Sequence, residues 1–363
     1  MKKTALIAIF LSFFYLVNLT WGDEIDLKET IKLAESGDAE AQNNLGFRYY
    51  KGQGVPQNYA EAMKWFRKAA DQGFAEAQFN IGSIYYIGNG VHQNYTEAMS
   101  WYKKAADQGL SISQYVLGEM YANGQGVPPN YTEAIKWYRK SADQGNAEAQ
   151  FNLGLIYTSG QGVDQDYSEA VKWYQKAADQ GLAKAQYNLG FRYYKGQGVP
   201  QNYAEAMKWF RKAADQEDAS SQHILGEMYD YGFGVQQNYT EAMNWYKKAA
   251  DQGLSISQYV LGELYANGEG APKNYTEAIK WYTKAANQGY TSAQNNLGNM
   301  YAKGEGVPKN LIKAYVWHSI ASANGNETSK KNLEILSSEM TPQQVTQAQN
   351  EAAELWKQIK SNK

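Results

Sequence analysis

The sequence predicts an all-α solenoid built from eight helix–turn–helix repeats of 36 residues. Tryptophan, glycine and tyrosine each recur with this period through most of the 363-residue chain. The tryptophans are Trp65, Trp101, Trp137, Trp173, Trp209, Trp245, Trp281 and Trp317. A fixed period of this length is typical of solenoids, because each unit buries its apolar face only by stacking on its neighbours. Residues that recur eight times are also poor candidates for a single catalytic centre.

Residues 1–22 are predicted to be a signal peptide. Lys2 and Lys3 precede an apolar stretch over residues 4–19, and Thr20-Trp21-Gly22 offers a cleavage site before Asp23. The stretch is short for a membrane span, which needs about 20 apolar residues. The alternative is an uncleaved anchor. We expect an exported chain, periplasmic or secreted, with no stable membrane insertion after cleavage.

Charge and cysteine content exclude several classes of protein. The net charge is −2 and the pI is about 6.0, which argues against a nucleic-acid surface with its usual basic stripe. The chain has no cysteine, so disulfides, thiolate metal sites and thiol catalysis are excluded. The oligomeric state is not predicted.

The repeats are expected to fill residues 38–325, after an N-terminal capping half-repeat over residues 23–37. In repeat one the first helix is predicted over residues 39–51 and ends at Gly52. Gly46 lies inside that helix at a cost of about 1 kcal/mol relative to alanine. We expect it to allow close approach of the Trp65 and Tyr59 columns.

The second helix is predicted to begin with a capping box. Asn58 and Glu61 have the spacing of an N-cap and its third helical residue, and the pair recurs in the next six repeats. Asn94-Tyr95-Thr96 and its copies also have the glycosylation pattern, but the capping role accounts for the asparagines. Glu217 replaces the glycine that closes this helix in the other repeats, which predicts a looser or differently angled joint.

Residues 326–363 are predicted to form C-terminal capping helices. Leu333, Ile335, Leu336 and Met340 indicate one helix. Thr341-Pro342 is a strong start signal for a last helix, completed by Gln344.

A longer period lies over the short one. Residues 44–72 are identical to residues 188–216, an offset of four repeats. The chain therefore resembles a duplicated four-repeat block, which favours a repeated binding surface over a single active site.

The repeated pattern resembles the Sel-one-like repeat family, relatives of the tetratricopeptide repeats. It is carried in repeat one by Ala41-Gln42, Leu45-Gly46, Tyr49, Gly52-x-Gly54-Val55, Tyr59, Ala62, Trp65-Phe66, Lys68-Ala69-Ala70 and Gln72-Gly73. The resemblance covers about residues 30–325 and implies a right-handed α/α superhelix that serves as an adaptor between proteins. Bacterial members often act in the envelope, on signalling, cell-wall enzymes or host contact. The family supplies no shared catalytic residues.

Two variable columns of the first helices are candidates for a binding surface. The first column is Asn43, Phe79, Tyr115, Phe151, Tyr187, His223, Tyr259 and Asn295; the second column is Phe47, Ser83, Glu119, Leu155, Phe191, Glu227, Glu263 and Asn299. They lie one turn apart and share a face, which is expected to be the concave one. The predicted contact residues are Phe47, Phe79, Tyr115, Glu119, Phe151, Tyr187, Phe191, His223, Glu227, Tyr259 and Glu263. The alternative is that the first column packs against neighbouring repeats.

The sequence offers no catalytic or metal-ligating constellation. His92, His223 and His318 lie in different repeats without metal-ligand spacing, so no metal or cofactor is expected. The recurring Gly-x-Gly lacks the strand and the lysine of a phosphate-binding loop.

We therefore predict a non-catalytic scaffold that binds a protein or an extended peptide on its concave face. An alternative is a cell-wall-directed or β-lactam-binding hydrolase, by analogy with cysteine-rich exported relatives, from which this chain differs in lacking cysteine. A third alternative is a protein that acts on a host receptor.

Overall fold

The computed structural model describes residues 27–361, which contain nineteen helices and no strand. This confirms the prediction of an all-α chain of helix–turn–helix repeats. The chain divides into two compact units, the first ending at Leu182 and the second beginning at Ala183. The predicted signal peptide lies outside the described residues.

The first unit contains nine helices. They are α1 (Leu27–Glu35), α2 (Ala39–Lys51), α3 (Tyr59–Asp71), α4 (Ala75–Ile87), α5 (Tyr95–Asp107), α6 (Ser111–Asn123), α7 (Tyr131–Asp143), α8 (Ala147–Ser159) and α9 (Tyr167–Asp179). Helix α1 packs on α2, where its Ala34 joins Ala41, Leu45 and Trp65 in a small core.

The second unit contains ten helices. They are α10 (Ala183–Lys195), α11 (Tyr203–Ala214), α12 (Ala219–Tyr231), α13 (Tyr239–Asp251), α14 (Ser255–Asn267), α15 (Tyr275–Asn287), α16 (Thr291–Lys303), α17 (Leu311–Ala323), α18 (Glu327–Glu339) and α19 (Pro342–Ser361). In both units each first helix packs most extensively against the second helix of its own repeat, and each second helix also packs on the next helix of its unit. No helix within residues 27–361 has the length and apolar character needed to cross a membrane.

The interior glycines of the first helices face an aromatic ring, but not the ring that the sequence suggested. A Cβ on Gly154 would lie 2.5 Å from the ring of Tyr174, the residue after Trp173. The same contact recurs at Gly46, where the ring belongs to Phe66. The expectation that the tryptophans and the helix-starting tyrosines need this space is therefore wrong. The following aromatic residue points directly at the first helix.

The second helices begin as predicted, although only half of the capping box forms. The Asn58 side chain accepts hydrogen bonds from the backbone N–H groups of Ala60 and Glu61. The backbone N–H of Asn58 donates to the Tyr49 carbonyl over 2.9 Å, so it has no need of the Glu61 carboxylate. Glu61 instead pairs with Lys64 at 3.4 Å.

Glutamine pairs join successive repeats through buried polar contacts. Gln78 Nε2 donates to the Ala70 carbonyl of the preceding helix, and its Oε1 accepts from Gln108 Nε2 over 2.8 Å. The pattern recurs at Gln114 and Gln150 in the first unit and at Gln222 and Gln258 in the second. Since buried amides are costly without partners, these bonds fix the spacing between neighbouring repeats.

Glu217 adopts the backbone conformation of the glycine that it replaces. Its φ is 65°, whereas the equivalent Gly73 has φ 88°. The N–H of Glu217 donates to Ala214 and that of Asp218 to Ala213, as in the glycine-closed turns. The predicted looser joint is therefore wrong at the level of this turn, and the substitution leaves backbone strain instead.

We expect Glu217→Gly to raise the free energy of unfolding of the second unit by about 1 kcal/mol, because glycine adopts positive φ without steric cost. Chemical denaturation monitored by circular dichroism measures the change. The reciprocal control is Gly73→Glu, which has no atom within 4 Å of a new Cβ and should destabilise the first unit by a similar amount. A destabilised Glu217→Gly variant would show that the carboxylate stabilises the turn.

The last two helices pack on α17. Thr341 and Gln344 form the complete capping box at the start of α19, with reciprocal bonds of 2.9 and 3.3 Å. Leu336 and Met340 are buried, whereas Ile335 is 58% exposed.

Candidate functional site

The first column packs mainly into the repeat core. Within one repeat its ring lies against the aromatic residue that follows the tryptophan: Phe79 is 5.3 Å from Tyr102, and Tyr115 is 6.0 Å from Tyr138. The expected exposure is therefore wrong for Phe79, Tyr115, Phe151 and His223, which are all buried. The alternative packing role accounts for these four, because each ring completes the layer that covers the helix-interior glycine.

The accessible residues are a subset of the predicted ones. Phe47 of the second column is buried. Half-buried positions remain at Glu119, Tyr187, Phe191, Glu227, Tyr259 and Glu263. Leu155, which lies in the second column but was not selected as a contact residue, is 40% exposed. We call these seven residues the first-helix face. Glu119 and Leu155 form it in the first unit, and the other five residues form it in the second unit.

Two of its acids are held in duplicated polar clusters. In the first unit Glu119 Oε1 accepts from the Tyr138 hydroxyl over 2.5 Å and from Asn152 Nδ2 over 2.6 Å. Burial raises the pKa of Tyr138 well above its usual value, and the Glu119 charge raises it further, so the hydroxyl remains a donor. These bonds fix the carboxylate in one position.

The second unit repeats this cluster four repeats later. Glu263 Oε1 accepts from the Tyr282 hydroxyl and, over 2.7 Å, from Asn296 Nδ2. Burial and the neighbouring carboxylate raise the pKa of Tyr259 to about 12. The duplicated block therefore gives each unit an equally positioned acid beside a tyrosine, with Tyr115 buried in one copy and Tyr259 half-exposed in the other.

His223 has the neighbours of a catalytic triad but not the access. Its Nδ1 is 2.9 Å from Ser257 Oγ, and its Nε2 is 3.4 Å from Glu227 Oε1. Ser257 is fully buried, so an acyl substrate could not reach its hydroxyl. In the first unit Phe79 replaces the histidine, and the equivalent Ser113 hydroxyl has no hydrogen-bond partner. His223 thus gives the buried Ser257 hydroxyl a hydrogen-bond partner.

The second buried histidine lies at the end of the repeats. His318 occupies the position of Tyr282 in the previous repeat, and a Cβ on Gly298 would lie 2.6 Å from its Nε2. Its Nδ1 is 3.1 Å from Ser329 Oγ, which donates to Asn295 Oδ1 over 2.9 Å. Ser329 Oγ therefore accepts from Nδ1–H, and Nε2 accepts from Asn332 Nδ2 over 3.4 Å, so the ring is neutral. No group of three His, Asp or Glu residues within residues 27–361 is placed to hold a metal.

Sequence inspection by column missed the most exposed aromatic residue of the described chain. Tyr231 is 64% exposed at the end of α12, and Phe233 follows it in the turn. The signal was present in the internal duplication: Ile87 and Asn89 occupy these positions in the first unit, although the residues that follow the turn are closely repeated.

The sequence model of the Sel1 repeat matches this chain in eight consecutive segments. They are residues 39–74, 75–110, 111–146, 147–182, 183–218, 219–254, 255–290 and 291–326.

Two solved structures are similar over most of the chain. One is c5321, described as a protective antigen present in uropathogenic Escherichia coli strains and displaying an SLR fold. It is 38% identical, with a TM-score of 0.83 over 93% of this chain and 72% of that one. The other is a Sel1 repeat protein from Oxalobacter formigenes, 33% identical, with a TM-score of 0.70 over 86% of this chain and 92% of that one.

A curated relative is similar over a short stretch. The secretory immunoglobulin A-binding protein EsiB of Escherichia coli O6:H1 (strain CFT073) is 40% identical over 69 residues, which make up 19% of this chain. The match spans 14% of the length of EsiB.

Proposed function

Because the chain belongs to the Sel1 repeat family, whose members are typically protein-interaction scaffolds and generally non-enzymatic, we propose that it binds a protein or an extended peptide on the first-helix face. The observation that carries this proposal is a difference between two kinds of position in the repeat, those that recur and those that vary. Caps, glycines and tryptophans recur in nearly every repeat, whereas the accessible positions vary among aromatic, aliphatic and acidic residues. Aromatic side chains are favoured anchors because they bury much area for little rotamer entropy.

We also propose that the chain acts outside the cytoplasm, in the periplasm or beyond the cell. The pattern of residues 1–22 supports export. The names of two relatives, an immunoglobulin-binding protein and a protective antigen, support contact with host molecules. The hydrolase alternative is not favoured, since the triad-like arrangement of His223, Ser257 and Glu227 contains a fully buried serine. In this proposal α1, α18 and α19 cap the ends of the repeats.

The test is a capture experiment with a variant whose new residues already occur in the two variable columns of the first helices. Leu155→Asn, Tyr187→Asn and Tyr259→Asn are combined, because asparagine occurs in these columns at Asn43, Asn295 and Asn299. The immobilised chain is exposed to bacterial envelope extract and, separately, to purified secretory immunoglobulin A. We expect native protein to retain a partner that the triple variant binds at least about tenfold more weakly, since two aromatic anchors are lost.

The control combines His92→Gln, Ser100→Asn and Arg139→Thr, each the residue at the equivalent position four repeats later. These exposed positions lie outside the two columns, and the control should bind like native protein. Circular dichroism checks that both variants keep their helices. Equal retention by all three proteins would show that the first-helix face is not the binding surface, and no retention by native protein would count against the scaffold proposal.

A further inference from the structure

Over their first three repeats, residues 39–146 and 183–290, the two four-repeat blocks diverge sharply at one place. Residues 219–235, which contain α12 and its following turn, differ from residues 75–91 at ten of 17 positions. The next 19 residues, 236–254, differ from residues 92–110 at only two. The sequence of α12 and its turn has therefore changed, whereas the sequence on either side of them is nearly unchanged.

In the first unit the polar side chains of this region form hydrogen bonds with one another. Asn89 Nδ2 donates to the Tyr50 hydroxyl over 2.7 Å, and Gln125 Nε2 donates to the Tyr86 hydroxyl over 2.8 Å. The Tyr86 ring packs on Tyr95 with centroids 5.0 Å apart. Tyr50 and Tyr86 are both buried, so the hydroxyl groups of these two residues are used within the fold.

In the second unit the same positions form an aromatic cluster with one exposed ring. Phe233 replaces Asn89 and stacks on Tyr203, with centroids 5.3 Å apart and ring planes 17° apart. Its ring also contacts Tyr194 at 6.0 Å and Tyr231 at 5.7 Å. Tyr231, which replaces Ile87, is 64% exposed. We call Tyr194, Tyr231 and Phe233 the aromatic surface.

Three acids were introduced beside this surface. Glu227 replaces Ser83, Asp230 replaces Tyr86, and Glu269 replaces Gln125. Desolvation raises the pKa of Asp230, and the charges of Glu269 and Glu227 raise it further, while a hydrogen bond from Tyr246 lowers it. The same three acids raise the pKa of Tyr231, after desolvation as the main cause. Their charges thus act together on the exposed ring.

The charged residues around the aromatic surface leave it acidic. Over residues 27–361 no lysine or arginine forms an ion pair with these three acids. His223 lies 3.4 Å from Glu227, and Lys195 Nζ lies 5.0 Å from the centroid of Tyr194. The acids are not grouped to hold a metal ion. The three carboxylates outnumber this lysine, so the charge complement of the surface is a cationic side chain beside an aromatic ring.

We propose that the aromatic surface, with Glu227, Asp230 and Glu269, binds a lysine or arginine side chain of a peptide segment in the partner protein. A cation over the Tyr231 ring gains attraction from the ring quadrupole and from the adjacent carboxylates. The first unit lacks both features, so the site belongs to the second unit alone. This inference deepens the proposed function, because it names the chemistry of one segment of the partner.

The test uses a conversion to the first-unit residues: Glu227→Ser, Asp230→Tyr, Tyr231→Ile, Phe233→Asn and Glu269→Gln. Each new residue already occupies the equivalent position in the first unit. The probe is a short fluorescent peptide of alternating lysine, arginine and glycine, and its affinity for the purified chain is measured by fluorescence anisotropy. A second peptide carries acetyl-lysine and citrulline in place of the cations, so its shape is kept and its charge removed.

We expect the basic peptide to bind native protein and to lose about tenfold or more in affinity for the converted protein. The neutral peptide should bind native protein at least about tenfold more weakly than the basic one. The matched control, Gln236→His with Asn244→Ser, also transfers first-unit residues into this repeat and should leave binding unchanged. The single variant Tyr231→Ile alters one exposed ring and gives a measurement if the five-residue conversion does not fold.

Equal affinity of native and converted proteins, equal affinity for basic and neutral peptides, or no binding to native protein would each overturn the inference. The result is separable from the scaffold test. A partner lost from the asparagine triple variant but retained by the converted chain leaves the scaffold proposal intact and removes only the cation site. If native protein captures no partner, the scaffold proposal fails, whatever the peptide affinities are.

Discussion

Replacing Gly154 with alanine is expected to lower the free energy of unfolding of the first unit by about 2 kcal/mol. The new Cβ would lie 2.5 Å from Cδ1 and Cε1 of Tyr174, whose side chain is 0% exposed and has no room to move. Overpacking of this kind costs about 1–3 kcal/mol, and this site belongs at the upper end. The better helix propensity of alanine offsets about 1 kcal/mol.

The matched control is Gly190→Ala, at the same repeat position in the second unit. There the nearest ring atoms, those of Phe210, would be 3.1 Å from the new Cβ, so a shift of a few tenths of an ångström relieves the contact. We expect this variant to be nearly neutral. Denaturant titration is combined with hydrogen exchange on α8 and α9 for Gly154→Ala and on α10 and α11 for Gly190→Ala, because repeat arrays need not unfold in two states. Similar losses at both glycines would refute the clearance argument.

Acidification is expected to destabilise the end of the second unit through His318. Burial lowers the pKa of His318 to about 4, from 6.5 when unfolded. Below pH 6.5 the unfolded chain therefore binds a proton that the folded chain excludes, and stability falls as the pH falls. The loss accumulates between about pH 6.5 and pH 4, reaches about 3 kcal/mol and then levels off.

His318→Tyr should remove this component, because tyrosine occupies the position in the preceding repeat and does not titrate in that range. Hydrogen exchange on α17 and α18 at pH 7, 5.5 and 4.5 gives the measurement. His92→Gln, which removes an exposed histidine from the first unit, is the control, and α17 and α18 should respond to acid in this variant as in native protein. An unchanged acid response in His318→Tyr would mean that another group is responsible.

The repeat makes two kinds of position distinguishable. Positions that hold the fold recur in almost every copy, including the paired glutamines and the N-cap asparagines. Positions that vary carry the accessible side chains, and the copy four repeats away shows what the same backbone accepts there. The substitutions in the binding tests use this property, since each new residue is already accommodated at an equivalent site or in the same column.

The sequence by itself determined the architecture. The 36-residue period predicted the eight units, and the glycines and capping asparagines predicted the helix ends. Helical spacing predicted the stripe of apolar residues on one side of each helix. These features are local, because a turn, a cap or a stripe depends on residues within a few positions along the chain. The Thr341–Gln344 box could be predicted for the same reason.

Only the tertiary structure decided which side of that stripe is covered. Spacing placed Phe79 and Tyr187 in one column, but packing buries the first and leaves the second half-exposed. Spacing also could not choose between Trp173 and Tyr174 as the ring that faces Gly154. Both outcomes depend on the position and angle of a second helix, which the spacing of residues along one helix does not fix. Tyr231 was missed for the same reason, because its exposure depends on the rebuilt turn that places Phe233 beside it.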